Sequence, residues 1–85
     1  MTPSIAPRFI LRWEPAQQAH LLLFPEGVVK LNGSAGEILA LCDGRRSAPE
    51  IIDALQQKFD APDGVIAEGV YRFFSEAESK GWVLT

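Results

Sequence analysis

The sequence predicts a small α+β domain in which a three-stranded antiparallel sheet is followed by three helices. Up to residue 31, short runs of β-forming residues alternate with Pro, Gly and polar turns, which is typical of antiparallel strands. From residue 32 onward, apolar residues recur at intervals of three and four, as on the buried face of a helix. The length of 85 residues suffices for one domain, which we place at residues 8–85.

Three strands are predicted in the first third of the chain. Residues 9–13 form the first strand, which ends before a Glu-Pro pair. Residues 19–24 form the second, which stops at a Pro-Glu-Gly turn, and residues 28–31 form the third. Residues 1–7 contain two prolines and few groups to bury, so we expect them to be a disordered N-terminal lead-in.

The first two helices have separate start signals. The first contains a stripe of four residues at helical spacing: Ala35, Ile38, Leu39 and Cys42. It has two candidate caps, which are Asn32 alone or Ser34 with Glu37 as a capping box. In the second helix, Ser47 is placed to cap and Glu50 completes a capping box. The apolar stripe of the second helix has four members: Ile51, Ile52, Leu55 and Phe59.

A third helix is predicted from the Asp-Ala-Pro-Asp start at residues 60–63 to Lys80, with Gly81 closing it. Its apolar residues form two neighbouring stripes: Ile66, Val70, Phe73 and Ala77, and beside them Ala67, Tyr71 and Phe74. Together they span roughly 160°, wider than the ~100° that packing on one core requires. Either both stripes are buried within the domain, or the second stripe faces a partner.

Three strands and three short helices have the outline of a winged helix-turn-helix domain, which raises nucleic-acid binding as a function. The third helix would then enter the major groove. Its polar face carries Glu68, Glu76 and Glu78 against Arg72 and Lys80, so phosphates would repel it. The whole chain has a formal charge of −3 and a pI near 5.0. A nucleic-acid-binding regulator, dimeric in form, is therefore the alternative and not the preferred function.

Composition argues against several other classes. One cysteine permits no internal disulfide, and no Cys/His set is present for a structural zinc site, so we expect neither a metal nor another cofactor. The longest apolar run, residues 21–24, is far shorter than the ~20 residues that span a bilayer. The N-terminus lacks the basic-then-apolar order of a signal peptide. We expect a cytoplasmic protein without membrane contact.

Catalysis has little support in the sequence. His20 and Cys42 are the only residues of their kinds, so a nucleophile–base pair would have to consist of these two. His20 lies in a hydrophobic strand, and Cys42 lies on a core-facing helical stripe where an inert buried thiol is the ordinary explanation. We predict that the protein is not an enzyme.

The order of short motifs resembles the family of PQQ biosynthesis protein D, the small peptide chaperone of pyrroloquinoline quinone assembly. The motifs are, in chain order, Arg12-Trp13-Glu14, Leu22-Leu23-Phe24-Pro25-Glu26-Gly27, Leu31-Asn32, Leu41-Cys42-Asp43-Gly44 and Lys80-Gly81-Trp82-Val83. They are fairly specific together, although none is specific alone. The resemblance runs over most of the chain and departs from the family at Gly64 and Gly69, where better helix formers are more common.

The resemblance implies a function. Members of this family bind a ribosomally made precursor peptide and deliver it to a radical S-adenosylmethionine enzyme, performing no chemistry themselves. The peptide adds as a strand to the edge of the three-stranded sheet and lies against the third helix. The partners implied here are therefore the PQQ precursor peptide and that enzyme.

Applied to this chain, the strand-addition mode of the family predicts which residues bind the peptide. The third strand would supply backbone groups for strand addition: Val28, Val29, Lys30 and Leu31. The second stripe of the third helix would line the groove: Ala67, Tyr71 and Phe74. The alternative for the third strand is pairing on both sides within the domain. A homodimer that uses the same edge is also compatible with these residues.

Overall fold

A computed structural model describes residues 2–85. It contains, in chain order, β1 (Ser4–Ile5), β2 (Ile10–Glu14), β3 (Ala19–Phe24), β4 (Gly27–Lys30), α1 (Gly33–Ala40), α2 (Ala48–Lys58), α3 (Val65–Ser79) and β5 (Val83–Leu84). The predicted α+β class is confirmed, because three antiparallel strands in the order β2-β3-β4 are followed by three helices.

The β2–β3–β4 sheet buries one of its two faces. Leu22 in β3 lies opposite Leu11 in β2 and Val29 in β4, and it has no exposed surface. Directly paired residues of antiparallel strands project on the same side of a sheet, so these three side chains form the inner face. Helix α1 packs on this face through β3, where Gly36 meets the ring of His20.

The N-termini of α1 and α2 are capped by local hydrogen bonds. At α1 the backbone N–H of Ala35 donates to Oδ1 of Asn32 at 2.8 Å. The Ser34 hydroxyl lies 3.0 Å from the same oxygen, so Asn32 is the cap and Ser34 is not. At α2 the predicted capping box is present, because Ser47 and Glu50 exchange backbone-to-side-chain hydrogen bonds of 2.8 and 3.3 Å.

Helix α3 begins later than predicted. The sequence places its start at residues 60–63, whereas the structure begins it at Val65. Gly64 adopts a φ of 83°, a left-handed conformation that breaks the path from the preceding turn into the helix, and it supplies no side-chain cap. At the other end, α3 ends at Ser79 with Lys80 as its C-cap, and Gly81, with a φ of 75°, closes it as predicted.

The N-terminal segment differs from the predicted disordered lead-in. Ser4–Ile5 pairs antiparallel with Val83–Leu84, and the N–H of Ala6 donates to the carbonyl of Trp82 at 2.8 Å. Pro3 and Ala6 are buried. The physical reason is that the apolar C-terminal segment offers an unpaired backbone, which the N-terminal residues satisfy. Met1, which the prediction also covered, lies outside the described residues.

Candidate functional site

The outer edge of β4 is open within residues 2–85. In the sheet order β2-β3-β4, strand β4 is bonded to β3 on one side only. The N–H of Leu31 donates to the carbonyl of His20 at 3.0 Å, so the backbone groups of Leu31 point toward β3. Residues two apart repeat the same direction, so Val29 also bonds β3, while Val28 and Lys30 direct their N–H and C=O groups outward. We call this edge, Val28–Lys30, the β4 rim.

The four residues predicted for the edge therefore differ in their roles. Val28 is 56% exposed, Lys30 is exposed, and Val29 is half-buried with its side chain against the core. Leu31 follows the end of β4, is buried, and uses its N–H inside the sheet. Leu31 thus anchors the rim to the core and offers no free backbone donor to a guest strand.

The predicted groove on α3 is not one continuous surface. Phe74 is only 6% exposed and belongs to the hydrophobic core together with Val70 and Ala77. Ala67 is half-buried against this core, while Tyr71 is 53% exposed. The helix is rotated relative to the prediction, because α3 packs on α2 and β5 along the line between the two apolar stripes.

An apolar cavity of about 540 Å³ opens on the other flank of α3. It lies between the start of α1, the end of α2 and the first half of α3. Its lining residues are Gly33, Ser34, Glu37, Ile38, Leu55, Phe59, Val65, Ile66, Gly69, Val70 and Phe73. We call it the α1–α3 cavity.

The α1–α3 cavity begins a short length of chain after the β4 rim. Gly33 and Ser34 line it and follow Lys30 by three and four residues, which is within about 14 Å of chain. At its polar margin, the Lys58 ammonium pairs with the Glu37 carboxylate at 2.7 Å. An open backbone edge is thus followed, within about 14 Å of chain, by an apolar cavity, and strand addition combines backbone pairing with pockets for side chains.

Sequence reasoning missed this cavity, although one signal was present. Gly69 sits on the apolar side of α3, three residues after Ile66 and four residues after Val65. A Cβ atom added at Gly69 would meet nothing within 4 Å. A glycine in the middle of an apolar helix face leaves room beside the helix, and here that room is part of the cavity.

Neither His20 nor Cys42, the pair considered from the sequence, is in a reactive setting. His20 is half-buried, and its ring lies 4.9 Å from that of Trp13. Cys42 is buried, and its Sγ lies 3.3 Å from the carbonyl oxygen of Ile38. Burial, with a smaller effect from the Asp43 carboxylate, raises the pKa of the Cys42 thiol to about 12. The thiol is therefore protonated at neutral pH and is a packing group.

We expect the native protein to resist thiol labelling. At about pH 8 a thiol with this pKa has only about one part in ten thousand of thiolate, and the core covers the sulfur. A disulfide reagent should leave Cys42 unmodified in buffer and modify it fully in guanidinium chloride. Stoichiometric labelling of the folded protein would contradict this burial.

The basic residues give little support to nucleic-acid binding. Arg46 pairs with Asp43 at 2.9 Å, and the Asp43 carboxylate accepts the backbone N–H groups of Arg45 and Arg46. These two hydrogen bonds lower the pKa of Asp43, so its carboxylate stays ionised beside the Arg46 guanidinium. On α3, Arg72 pairs with Glu68 at 2.6 Å. The third helix therefore presents no positive stripe to phosphates.

Within residues 2–85, no three His, Cys, Asp or Glu side chains are grouped closely enough to hold a metal ion. In the same part of the chain, no helix combines the length and the apolar character needed to cross a bilayer.

Comparisons with known proteins point to one family. Residues 19–83 match the family model described as coenzyme PQQ synthesis protein D. Relatives named PqqA binding protein occur in Azotobacter vinelandii, at 46% identity over 95% of this chain and 87% of the relative, and in Methylococcus capsulatus, at 38% identity over 94% and 84%.

Two solved structures share the fold. One is the solution NMR structure of the PqqD truncation of Methylobacterium extorquens PqqCD, described as a functional and stand-alone recognition element for ribosomally synthesised and post-translationally modified peptides. It aligns with a TM-score of 0.80 and 26% identity over 98% of this chain and 88% of that one. The other is TbiB1 in complex with the TbiA(beta) leader peptide, with a TM-score of 0.79 and 16% identity over 94% and 93%. The second likeness concerns the fold alone.

Proposed function

The chain belongs to the family of coenzyme PQQ synthesis protein D, and from this premise we propose that it recognises the PQQ precursor peptide. The observation that carries the proposal is the open β4 rim beside the α1–α3 cavity. The names of relatives at 46% identity support the same ligand, because those proteins are called PqqA binding proteins.

The peptide binds by strand addition. It forms a fourth strand on the β4 rim, where Val28 and Lys30 supply outward-facing backbone groups. An apolar side chain of the peptide enters the α1–α3 cavity, because the cavity is lined mainly by apolar atoms and favours a hydrophobic group. Ala67 and Tyr71 on the other flank of α3 contribute further contact, while Phe74 supports the helix from the core.

The protein acts as a chaperone and not as an enzyme. It holds the peptide in an extended form and presents it, in the cytoplasm, to the radical S-adenosylmethionine enzyme of the pathway. The peptide-binding domain includes β1 as well as residues 8–85, because β1 pairs with β5 and the neighbouring Pro3 and Ala6 are buried. A homodimer paired through the β4 rim would compete with the peptide for the same backbone groups.

We expect calorimetric titration with a synthetic precursor peptide to give one site per chain. Strand addition relies on backbone hydrogen bonds and apolar burial, so the affinity should change little between about 50 and 200 mM salt. A duplex DNA titration serves as the comparison. Absence of peptide binding would reject the proposal, and steeply salt-dependent DNA binding would favour the nucleic-acid-binding regulator instead.

We expect Tyr71→Ala to weaken peptide binding by about 1 kcal/mol without changing stability. The ring is 53% exposed, so its loss opens no core cavity, while an aromatic surface is well suited to an interface. Peptide titration and urea denaturation of the same variant measure the two effects. An unchanged affinity would restrict the site to the β4 rim and the α1–α3 cavity.

A further inference from the structure

The face of the sheet that points away from the helices carries an apolar row. The strand register places Ile10, Leu23 and Val28 side by side across β2, β3 and β4. Leu22 is on the inner face, so its neighbour Leu23 and the two residues paired with it lie on the outer face. Ile10 is 64% exposed. A sheet with one solvated face usually carries polar residues there, so this row is unusual.

The adjoining row of the same face is cationic at both ends. It consists of Arg12, Leu21 and Lys30, again in register across the three strands. The Arg12 guanidinium lies 3.9 Å from the Glu14 carboxylate, at the outer limit of an ion pair. Lys30 forms no ion pair within the described part of the chain, residues 2–85. Glu14, two residues from Arg12 on β2, lies on the same face, so the face carries two cations and one carboxylate, against a net charge of −3 for the whole chain.

We propose that this outer face docks a folded protein whose contact surface is apolar at its centre and bears carboxylates at its rim. Burial of the apolar row would supply affinity, and Arg12 and Lys30 would orient the partner. The outer strands of a three-stranded sheet lie about 10 Å apart, so the row offers a broad surface and not the single edge that a peptide strand uses.

A second copy of this chain fits the outer face less well than an acidic partner does. It would bring the same Arg12 and Lys30 to the contact with only one carboxylate, Glu14, so positive charge would be in excess at the margin. An acidic partner meets both cations favourably.

The docking face and the peptide site share β4 but use different groups of it. The peptide uses backbone groups of the β4 rim, while the partner covers the outer side chains, of which Ile10 and Arg12 are on the far strand β2. Both partners can therefore be held at once, with the peptide beside the docked protein. The inference rests on the proposed function, in which the radical S-adenosylmethionine enzyme receives the peptide. That enzyme is therefore the probe for the outer face.

The test is titration of that enzyme with Ile10→Asp and Arg12→Glu. Leu84→Asp is the matched control for the first, because Leu84 is a 52% exposed apolar strand residue outside the outer face. Arg45→Glu, in the exposed turn after α1, is the control for the second. We expect Ile10→Asp to lower the enzyme affinity at least tenfold and Arg12→Glu at least threefold, with both controls within twofold of the wild type.

Peptide titration of the same variants separates this inference from the proposed function. Unchanged peptide affinity in Ile10→Asp, together with lost enzyme affinity, supports a separate docking face. Wild-type enzyme affinity in Ile10→Asp overturns the inference, as does a wild-type protein that binds peptide but no enzyme. A wild-type dimer that Ile10→Asp dissociates would show that a second copy covers the face. Failure of the wild type to bind peptide would count against the proposed function alone.

Discussion

Replacing Gly69 by leucine is expected to lower the affinity for the precursor peptide at least tenfold while leaving the domain folded. Gly69 lines the α1–α3 cavity, and a Cβ atom at this position would meet nothing within 4 Å. A leucine side chain would therefore occupy the space proposed for the peptide's apolar side chain. The helix itself should become more stable, since leucine is about 0.8 kcal/mol more favourable than glycine in a helix interior.

Gly69→Ala is the matched control for this prediction. It adds the same Cβ but leaves most of the cavity free, so we expect peptide affinity within about threefold of the wild type and a gain of about 0.5–1 kcal/mol in the free energy of unfolding. Calorimetry and urea denaturation measure the two quantities. If Gly69→Leu binds the peptide as the wild type does, the anchor side chain does not use this cavity.

Replacing Gly36 by alanine is expected to destabilise the fold by about 2 kcal/mol. Gly36 lies where α1 meets β3, and an added Cβ would lie 2.8 Å from the Cβ and Cγ atoms of His20. Overpacking costs about 1–3 kcal/mol, and contacts this short place the cost near 3 kcal/mol. The gain of about 1 kcal/mol that alanine brings to a helix offsets part of it, which leaves a net loss of about 2 kcal/mol. A domain of this size has only about 4–13 kcal/mol in total, so the loss is large.

Three further variants identify the cause of the Gly36→Ala effect. Gly33→Ala places a Cβ in the same helix where nothing lies within 4 Å, so its stability should match or exceed that of the wild type. The double variant Gly36→Ala with His20→Ala lacks the clashing ring. Gly36→Ala should therefore cost less stability in the His20→Ala background than in the wild type. Urea denaturation gives all four values. A Gly36→Ala protein as stable as the wild type would mean that His20 moves aside without cost.

The family resemblance stated from the sequence is confirmed by the family model over residues 19–83. The local elements were also predictable from residues close in the chain. The Ser47 capping box and the closing glycine at Gly81 are correct because each depends on backbone geometry within one helical turn. The short runs of β-forming residues between Pro, Gly and polar turns likewise identified the strands of the sheet.

The elements that were wrong depend on contacts between distant residues. Phe74 was placed in a groove because a helical wheel shows the width of an apolar arc but not its rotation, which α2 and β5 set by packing. The N-terminal segment was predicted to be disordered because its partner, Val83–Leu84, lies at the other end of the chain. The α1–α3 cavity requires three helices to meet around the missing side chain of Gly69. Hydrogen bonds within a turn are determined by neighbouring residues in the sequence. The rotation of α3, the pairing of the two termini and the α1–α3 cavity arise only when the folded chain brings remote segments together.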